Sequence, residues 1–508
     1  MSRKAYPFAL FALLVAIALF HGIRVNGDHG WADDGSQYLI HAQNMLAGRP
    51  YGALGFTQTP ASGLPGQYPP ALPALLALTL AVTGLDFLKL ELLMLVLFVV
   101  CVAIFPVTLH SRLGRWTALA VTAAVGFNPE LSARLIFHIN SEGLWLFFIL
   151  CFLIVFGEAV PLQPGSGYLK PSLSWAIVAG TLSGLAIATR ATAVALLVTC
   201  LVYCYFVVKR ERRFAWIVAA TGAAWILILR VLVGSSTSSY LQAYQTFLSF
   251  RSVRRNLIQY PQAMSQLLGT NPTAMFVAAA VGIAGAVVVW RRRQFGLWES
   301  FCFVYALIII PWPFSDPVRY GLPFLLLWIS YIGVGFETVA GTFRRSRTII
   351  WLVVSVLVGV SYAREYRVVA AERTGGIFSP PAQELWSFVR DRIPADSLVV
   401  FNKSRTLTLL TNRRSSNYPP LLPSSQLWPE ICAVRPTHVI AAPSLFPSDQ
   451  LVLQPALDAS HAKMRLIFRN SVFLLYEILP EGCADAGPLP RLVLPASRWD
   501  RGYPLPNY

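Results

Sequence analysis

The sequence has few charged residues for its length. Only 13% of its 508 residues are Asp, Glu, Lys or Arg, whereas a soluble protein of this size has about 25%. Apolar residues make up 55% of the chain, and runs of about 20 apolar residues, each long enough to cross a bilayer, recur between Phe8 and Ser361. The scarcity of charge therefore excludes a soluble globular protein and predicts a polytopic α-helical membrane protein.

Other patterns are also missing. There are seven cysteines, but no CxxC motif and no His/Cys spacing of a metal site. No basic patch interleaved with aromatic residues accompanies the formal charge of +17, so nucleic acid is not expected as a partner. No A-x-A-like cleavage site follows the first apolar run, so we expect an uncleaved first helix.

The positive charge is concentrated in short loops between the apolar runs. Because such loops face the cytoplasm, we place five basic segments there: Ser2–Lys4, Ser111–Arg115, Lys209–Arg213, Arg291–Arg293 and Arg344–Arg347. This orientation fails if both Pro70–Thr83 and Phe87–Leu109 cross the bilayer. The shorter run, Pro70–Thr83, is therefore predicted to be a re-entrant or surface helix.

About eleven crossings satisfy this orientation. They are predicted at Phe8–Arg24, Phe87–Leu109, Trp116–Phe127, Gly143–Gly157, Leu173–Thr189, Ala191–Val208, Phe214–Val233, Thr273–Trp290, Leu297–Pro311, Tyr320–Val339 and Thr348–Tyr362. An odd number places the first loop, residues 25–66, and the C-terminal region on the same external face. We therefore divide the chain into a transmembrane domain, residues 1–363, and an external domain, residues 364–508.

The composition of the C-terminal region differs from that of the preceding chain. Long apolar runs stop after Ala363, and short runs typical of strands follow. They are Ser397–Phe401, Thr437–Ala441, Met464–Phe468 and Val472–Ile478, with an amphipathic helix at Pro381–Arg392. This pattern predicts a soluble α/β domain. If that domain is external, Cys432 and Cys483 could form a disulfide, because the compartment permits one.

Two adjacent acids follow the first apolar run. Asp33 and Asp34 open the segment Ala32–Ala47, whose apolar residues have helical spacing, so we expect a helix on the membrane surface. A solvated loop would explain a single aspartate, and helix capping would explain one acid. Neither interpretation explains two.

A third acid and several arginines lie at the ends of apolar runs. Glu142 opens a predicted span, where the helix dipole alone favours an acid. Arg190 lies between two spans, and Arg319 with Tyr320 opens another. Such arginines can extend harmlessly to the headgroups or bind phosphate through the guanidinium fork.

The predicted external segment Gly234–Pro272 also carries arginines. They are Arg251, Arg254 and Arg255, and their position breaks the positive-inside pattern. They could contact phosphate or merely lipid headgroups, and headgroups are slightly favoured.

The order of several motifs resembles the GT-C superfamily of membrane glycosyltransferases. The motifs are DDGSQYLIHAQNMLAGRPY, QYPPALPALLAL, NSEGLW, GLAIATRATA and RYGLPFLLL. More narrowly, the chain is similar to the bacterial branch related to protein O-mannosyltransferases and lipid A aminoarabinose transferases. The resemblance covers most of the chain and implies a GT-C-like fold. It also implies a polyprenyl-phosphate-linked sugar as donor and a location in the bacterial inner membrane, with the active site facing the periplasm.

The resemblance assigns roles to individual residues. Asp34, with the spacing to Tyr38, takes the place of the essential first-loop acid, with Asp33 as a neighbour of open role. Glu142 takes the place of a second acid, often Asp in relatives. Arg190 and Arg319 fall where basic residues lie near the lipid phosphate. Together with the analysis of the loops, this gives the predicted substrate-binding residues Tyr38, Tyr68, Arg190, Arg319, Tyr320 and Arg255.

The implied reaction is transfer of a sugar to a hydroxyl of a glycan, lipid or protein, with inversion and with Asp34 as general base. Some branches use a divalent metal, and the sequence shows no ligand cluster that settles this point. The alternatives are a transporter or flippase, against which the lack of an internal repeat argues, and a non-catalytic partner in envelope synthesis. The sequence names neither the sugar nor the acceptor.

Overall fold

The computed structural model describes residues 5–31, 33–57, 68–109, 112–162, 169–233, 250–266, 272–312, 316–342, 347–420 and 422–484. Its helices are α1 Ala5–Gly22, α2 Asp33–Leu46, α3 Ala71–Thr83, α4 Phe87–Ile104, α5 Arg115–Gly126, α6 Pro129–Leu135, α7 Glu142–Ala159, α8 Leu173–Thr189, α9 Ala195–Val202, α10 Arg212–Val233, α11 Phe250–Gln266, α12 Pro272–Arg291, α13 Leu297–Ile309, α14 Pro317–Thr342, α15 Arg347–Thr374, α16 Pro380–Arg392, α17 Ser404–Thr411, α18 Ser424–Ala433 and α19 Gln454–Ala459. Its strands are β1 Phe56–Thr57, β2 Leu398–Val400, β3 Arg414–Ser416, β4 His438–Ala441, β5 Met464–Arg469 and β6 Leu474–Ile478.

The chain folds into two compact units. The helical unit comprises residues 1–27 and 68–372, and the sheet unit comprises residues 28–67 and 373–508. This division differs from the predicted domains 1–363 and 364–508, because the first loop belongs with the C-terminal region. The second boundary also moves, since α15 continues to Thr374 rather than ending near Tyr362.

The membrane character of the helical unit is confirmed. Within the described residues, five helical segments are long and apolar enough to span a bilayer: Ala5–Gly22, Phe87–Leu109, Glu142–Ala159, Arg212–Leu229 and Val318–Gly341. Shorter apolar helices occur at Ala71–Thr83, Leu173–Thr189, Ala191–Val207, Phe276–Arg291 and Leu297–Ile309. The count of about eleven crossings stays a prediction. The helix at Ala71–Thr83 has 13 residues, as does the one at Leu297–Ile309, which is predicted to cross, so the re-entrant or surface position of Ala71–Thr83 also stays a prediction.

Small residues allow close packing between α12 and α14. A Cβ atom added to Gly285 would lie 1.9 Å from the carbonyl oxygen of Tyr331, and one added to Gly335 would lie 2.1 Å from that of Val281. The two backbones therefore touch at a position where only glycine fits, as is common between membrane helices.

Tyrosines explain why α15 extends beyond its apolar run. The hydroxyl of Tyr362 donates to the carbonyl of Ala124 at 3.0 Å, and that of Tyr366 donates to the carbonyl of Phe127 at 3.1 Å. These carbonyls lie at the end of α5, where the helix leaves backbone acceptors without intrahelical partners. The polar residues after Tyr362 ended the apolar pattern but not the helix.

The sheet unit contains a mixed six-stranded sheet in the order β1-β3-β2-β4-β6-β5. Strands β1, β3, β2 and β4 run parallel to one another, while β6 is antiparallel to β4 and β5. Four of these strands and α16 lie where the sequence predicts them. The short strands β1 and β3 are not predicted, because two or three residues carry too little pattern.

The first loop is built into this unit through an aromatic core. Trp31 lies among Trp386, Phe446 and Phe473, with ring centroids 5.5–5.9 Å away, and its indole donates to the carbonyl of Gly375 at 2.7 Å. Strand β1 adds to the sheet edge beside β3. The loop therefore packs as part of a globular core, rather than as an appendage of the membrane helices.

Cys432 and Cys483 form a disulfide in this unit. It links α18 to the segment after β6, closing a sequence separation of 51 residues. The pairing considered from the sequence is therefore present.

Candidate functional site

Two clusters of acids and arginines contain the main sequence-predicted site residues. One lies in the helical unit around Glu142, and the other lies in the sheet unit around Asp33 and Asp34.

Glu142 begins α7 and is fully buried. Its Oε1 atom accepts hydrogen bonds from Arg190 at 2.5 Å and from the Nε atom of Arg319. Arg190 has an extended backbone and lies between α8 and the next helical segment. Arg319 lies in the first turn of α14. Three elements therefore bring two guanidinium groups onto one carboxylate.

Two carboxylates balance the two arginines of this cluster, but only one of them is buried. The buried Glu142 carboxylate neutralises one of the two guanidinium charges, and Asp316, 3.6 Å from Arg319, has a side chain that is 36% exposed. Arg190 and Arg319 keep side-chain exposures of 11% and 18%. Both guanidinium groups are thus largely shielded from water, which strengthens their interaction with an anion.

Aromatic side chains surround the Arg190 guanidinium. Its carbon atom lies 5.6 Å from the ring centre of Trp145 and 5.2 Å from that of Tyr320. Such stacking holds a guanidinium by its faces and leaves its edges to donate hydrogen bonds. Tyr320 is therefore brought to the arginines as predicted, while Trp145 was not recognised, because it resembles any aromatic residue of an apolar run.

Helix α11 contributes a residue that sequence analysis missed. The Tyr260 side chain is buried, and burial raises the pKa of its phenol, with Arg190 among the charges that act against this increase. The neighbouring Asn256 donates to the carbonyls of Ile310 and Trp312 at 2.8 and 2.7 Å, at the end of α13. This amide fixes α11 against the helical unit.

The other predicted residues of the helical unit lie on other elements. Arg255 is half-buried on α11 and its Nε atom approaches Asn256 Oδ1 at 3.4 Å. Tyr68 is half-buried, three residues before α3. Arg251 lies in α11, but its side chain is outside the described part of the structure.

The second cluster forms where α2 packs on α17. Asp33 and Asp34 occupy the first turn of α2, and Arg405 and Thr406 lie in the first turn of α17. The Arg405 Nη1 atom donates to Asp34 Oδ1 at 2.7 Å. The backbone N–H and the hydroxyl of Thr406 both donate to Asp33 Oδ1 at 2.9 Å.

This cluster is more accessible than the first. The side chains of Asp33 and Asp34 are 18% and 24% exposed, while that of Arg405 is 8% exposed. Lys403, just before α17, is buried, which lowers its pKa, and the charges of Asp33 and Asp34 oppose that decrease. Two carboxylates are therefore held beside two cationic side chains, with the carboxylates nearer to solvent.

Tyr38 and His41 lie further along α2. Tyr38 is only 4% exposed, so its ring is part of the packed face of the helix. His41 stacks on Tyr51 with ring centroids 4.0 Å apart, and burial lowers its pKa to about 4. The helix expected on the membrane surface is thus buried along much of its length within the sheet unit.

Sequence analysis missed Arg405 and Thr406, although a signal for them exists. They follow strand β2 in the run Phe401–Thr406, where polar residues come directly after a buried parallel strand. The carboxyl ends of parallel strands are common positions for functional side chains. What the sequence does not show is that this run meets an aspartate pair 371 residues earlier.

The described residues do not fit a metal site. No group of three or more His, Cys, Asp or Glu side chains that could hold an ion occurs among them. The Asp33 and Asp34 carboxylates instead face Arg405, and a guanidinium at this position would repel a cation.

Comparison with solved structures identifies the fold. The crystal structure of the Archaeoglobus fulgidus oligosaccharyltransferase in complex with Zn and sulfate matches with a TM-score of 0.60 and 12% identity, over 92% of this chain and 73% of that one. ArnT from Cupriavidus metallidurans bound to undecaprenyl phosphate matches with a TM-score of 0.56 and 12% identity, over 96% and 100%. The chain has the GT-C fold.

The fold agrees with the family resemblance seen in the sequence, which is confirmed at this level. The apo form of the same ArnT also matches, with a TM-score of 0.54 and 14% identity, over 94% of this chain and 99% of that one. No protein-family model matches the sequence, and no curated protein matches it. At these identities the likeness concerns the fold alone.

Proposed function

We propose that the protein is a glycosyltransferase that moves a sugar from a polyprenyl-phosphate donor to a hydroxyl of a cell-envelope glycan, lipid or protein. The observation that carries this proposal is the pair of arginines on one buried carboxylate, since it places two guanidinium groups in a poorly hydrated position of a GT-C fold. Solved structures with a similar fold support the same reaction class. ArnT was solved with undecaprenyl phosphate, and AglB, the Archaeoglobus fulgidus oligosaccharyltransferase, was solved with a dolichol-phosphate.

In this proposal the Glu142 cluster binds the donor phosphate. Arg190 and Arg319 donate hydrogen bonds to its oxygens, and they stabilise the charge that grows as the lipid phosphate leaves. Glu142 is fully buried and its Oε1 atom is bonded by both arginines, so its role is to hold them in place rather than to accept a proton. Tyr68, Tyr320 and Arg255 are proposed as further donor contacts.

Asp34 acts as the general base. As the acceptor oxygen forms a bond to the anomeric carbon, the acceptor proton passes to the Asp34 carboxylate. The bond between the anomeric carbon and the phosphate oxygen breaks on the opposite face, and the electron pair leaves with the lipid phosphate. A single displacement of this kind inverts the anomeric centre.

The proposed location is the bacterial inner membrane, with the sheet unit facing the periplasm. The basic loops support this orientation through the positive-inside rule. The Cys432–Cys483 disulfide supports it as well, because disulfides persist in oxidising compartments.

Reconstituted protein tests the reaction class. Proteoliposomes are loaded with a panel of polyprenyl-phosphate-linked sugars, namely labelled mannose, arabinose, aminoarabinose and galacturonic acid, together with an envelope extract as acceptor. Transfer of label to the acceptor with release of polyprenyl phosphate supports the proposal. Movement of an intact lipid-linked sugar between leaflets without bond cleavage would instead establish a flippase. Mass spectrometry of the envelope from a deletion strain then identifies the acceptor.

A further inference from the structure

The sheet unit contains a buried arginine that touches the proposed base. Arg405 comes from the C-terminal region, and its Nη1 atom lies 2.7 Å from Asp34 Oδ1. Its Nε atom lies 3.8 Å from Asp33 Oδ2. The guanidinium therefore faces both acids of the first loop, although their positions in the sequence are far apart.

The two acids are held differently. Asp33 accepts two hydrogen bonds from Thr406 on one oxygen, both at 2.9 Å, and Ser36 shares a hydrogen bond with the Thr406 hydroxyl at 2.9 Å. These contacts fasten the first turn of α2 to α17. Asp33 thus has an anchoring contact, while the contact of Asp34 with Arg405 is a charge-assisted hydrogen bond, which is short and directional.

The guanidinium itself is fixed by its surroundings. Its side chain is 8% exposed, and its carbon atom lies 5.7 Å from the ring centre of Phe56 in β1. A planar, rigid donor loses little entropy in orienting a carboxylate. The burial and the ring contact therefore limit the orientations open to the Arg405 side chain.

We propose that Arg405 is a positioning residue for Asp34, so that the C-terminal region orients the catalytic carboxylate. This inference rests on the proposed function of Asp34 as general base. Arg405 holds one oxygen of the carboxylate in place and favours its ionised form, since an adjacent cation stabilises an anion. Within the described part of the chain, the charged groups at Asp34 include Asp33 on α2, Lys403 before α17 and Arg405 itself.

The test compares Arg405→Gln, Arg405→Lys and a matched control, Arg465→Gln, in the full-length protein. Arg465 pairs with Glu477 at 2.5 Å in the same unit, but its side chain is 69% exposed. We expect Arg405→Gln to lower kcat by roughly 10- to 100-fold through misplacement of the base. Arg405→Lys should recover part of this loss, because it restores the charge but not the planar fork.

The pH dependence separates positioning from a structural role. Without the cation, the carboxylate takes up a proton more readily, so the acidic limb of the kcat/KM profile of Arg405→Gln should move to higher pH. In Arg405→Lys this limb should stay near that of the unaltered protein. Thermal unfolding and formation of the Cys432–Cys483 disulfide report on folding of each variant.

Asp34→Asn, assayed in parallel, distinguishes the two claims. Full activity of Asp34→Asn would remove the proposed base, whatever Arg405 does. If Asp34→Asn is inactive and Arg405→Gln matches Arg465→Gln in kcat and in its pH profile, the positioning role is overturned. If Arg405→Gln does not fold, Arg405→Lys decides, and unchanged kcat in that variant contradicts the proposal.

Discussion

The two acid–arginine clusters use the same chemical groups in opposite ways. Glu142 is fully buried and bonded by two arginines, whereas the Asp34 side chain is 24% exposed and bonded by Arg405. A carboxylate that is buried and bonded by two guanidinium groups is poorly suited to exchange protons. One that reaches solvent can do so, and burial, not residue type, therefore separates the proposed phosphate site from the proposed base.

Neutralising Glu142 should have the largest effect on stability. Glu142→Gln leaves two poorly hydrated guanidinium groups without their carboxylate, which costs about 3–5 kcal/mol when a buried pair is broken. The measurement is the free energy of unfolding of the purified protein in detergent.

The matched control for this prediction is Glu130→Gln. Glu130 pairs with Arg134 four residues later on α6, with side-chain exposures of 31% and 17%, and such pairs contribute less than about 1 kcal/mol. Equal destabilisation by Glu142→Gln and Glu130→Gln would contradict the prediction that the buried carboxylate contributes more to stability than the partly exposed one.

Acid pH should destabilise the sheet unit, because this unit contains a buried neutral histidine, His41. The pKa of His41 is about 4 in the folded protein and about 6.5 when exposed. The unfolded state then binds more protons between these values, so stability should fall as the pH falls from about 6.5 to 4, by on the order of 2–3 kcal/mol.

His41→Phe, which retains an aromatic ring opposite Tyr51, should flatten this dependence. The exposed His461 of the same unit provides the control His461→Gln, which should leave the slope unchanged. Hydrogen exchange of α2 peptides between pH 4 and 7 measures the effect, and an unaltered slope in His41→Phe would show that other groups cause it.

Conservative replacement of a phosphate-site arginine should have a smaller effect. Arg319→Lys keeps the charge and loses the fork, so we expect kcat/KM for the donor to fall roughly tenfold. Arg134→Lys is the control, since Arg134 pairs with the partly exposed Glu130. Unchanged donor kinetics in Arg319→Lys would separate this cluster from phosphate binding.

Much of the fold could be predicted from the sequence because long apolar runs and strand-like segments depend on local pattern. The apolar helices, α2, α16 and four strands fall near their expected positions. The end of α15 does not fall at its expected position, because the last turns of this helix are polar. Tyr362 and Tyr366 of α15 donate hydrogen bonds to carbonyls at the end of α5. No local pattern records such a contact.

The candidate sites could be predicted only in part for the same reason. Acids and arginines at the ends of apolar helices are rare, so each can be identified from the sequence alone. The structure then shows that Glu142 contacts both Arg190 and Arg319. Arg405 lies in a domain where arginine is ordinary. Its importance depends on the packing of α2 against α17, which joins residues 371 positions apart.

The central claim is that Asp34, and not Glu142, accepts the acceptor's proton. Single-turnover transfer from a labelled polyprenyl-phosphate sugar, measured with Asp34→Asn protein at saturating donor, tests it most directly, with Asp28→Asn as the control in the same loop. We expect donor binding to persist and the transfer rate to fall by about 10²- to 10⁴-fold, the usual contribution of a general base. A transfer rate equal to that of Asp28→Asn, with the same amount of folded protein, would contradict it.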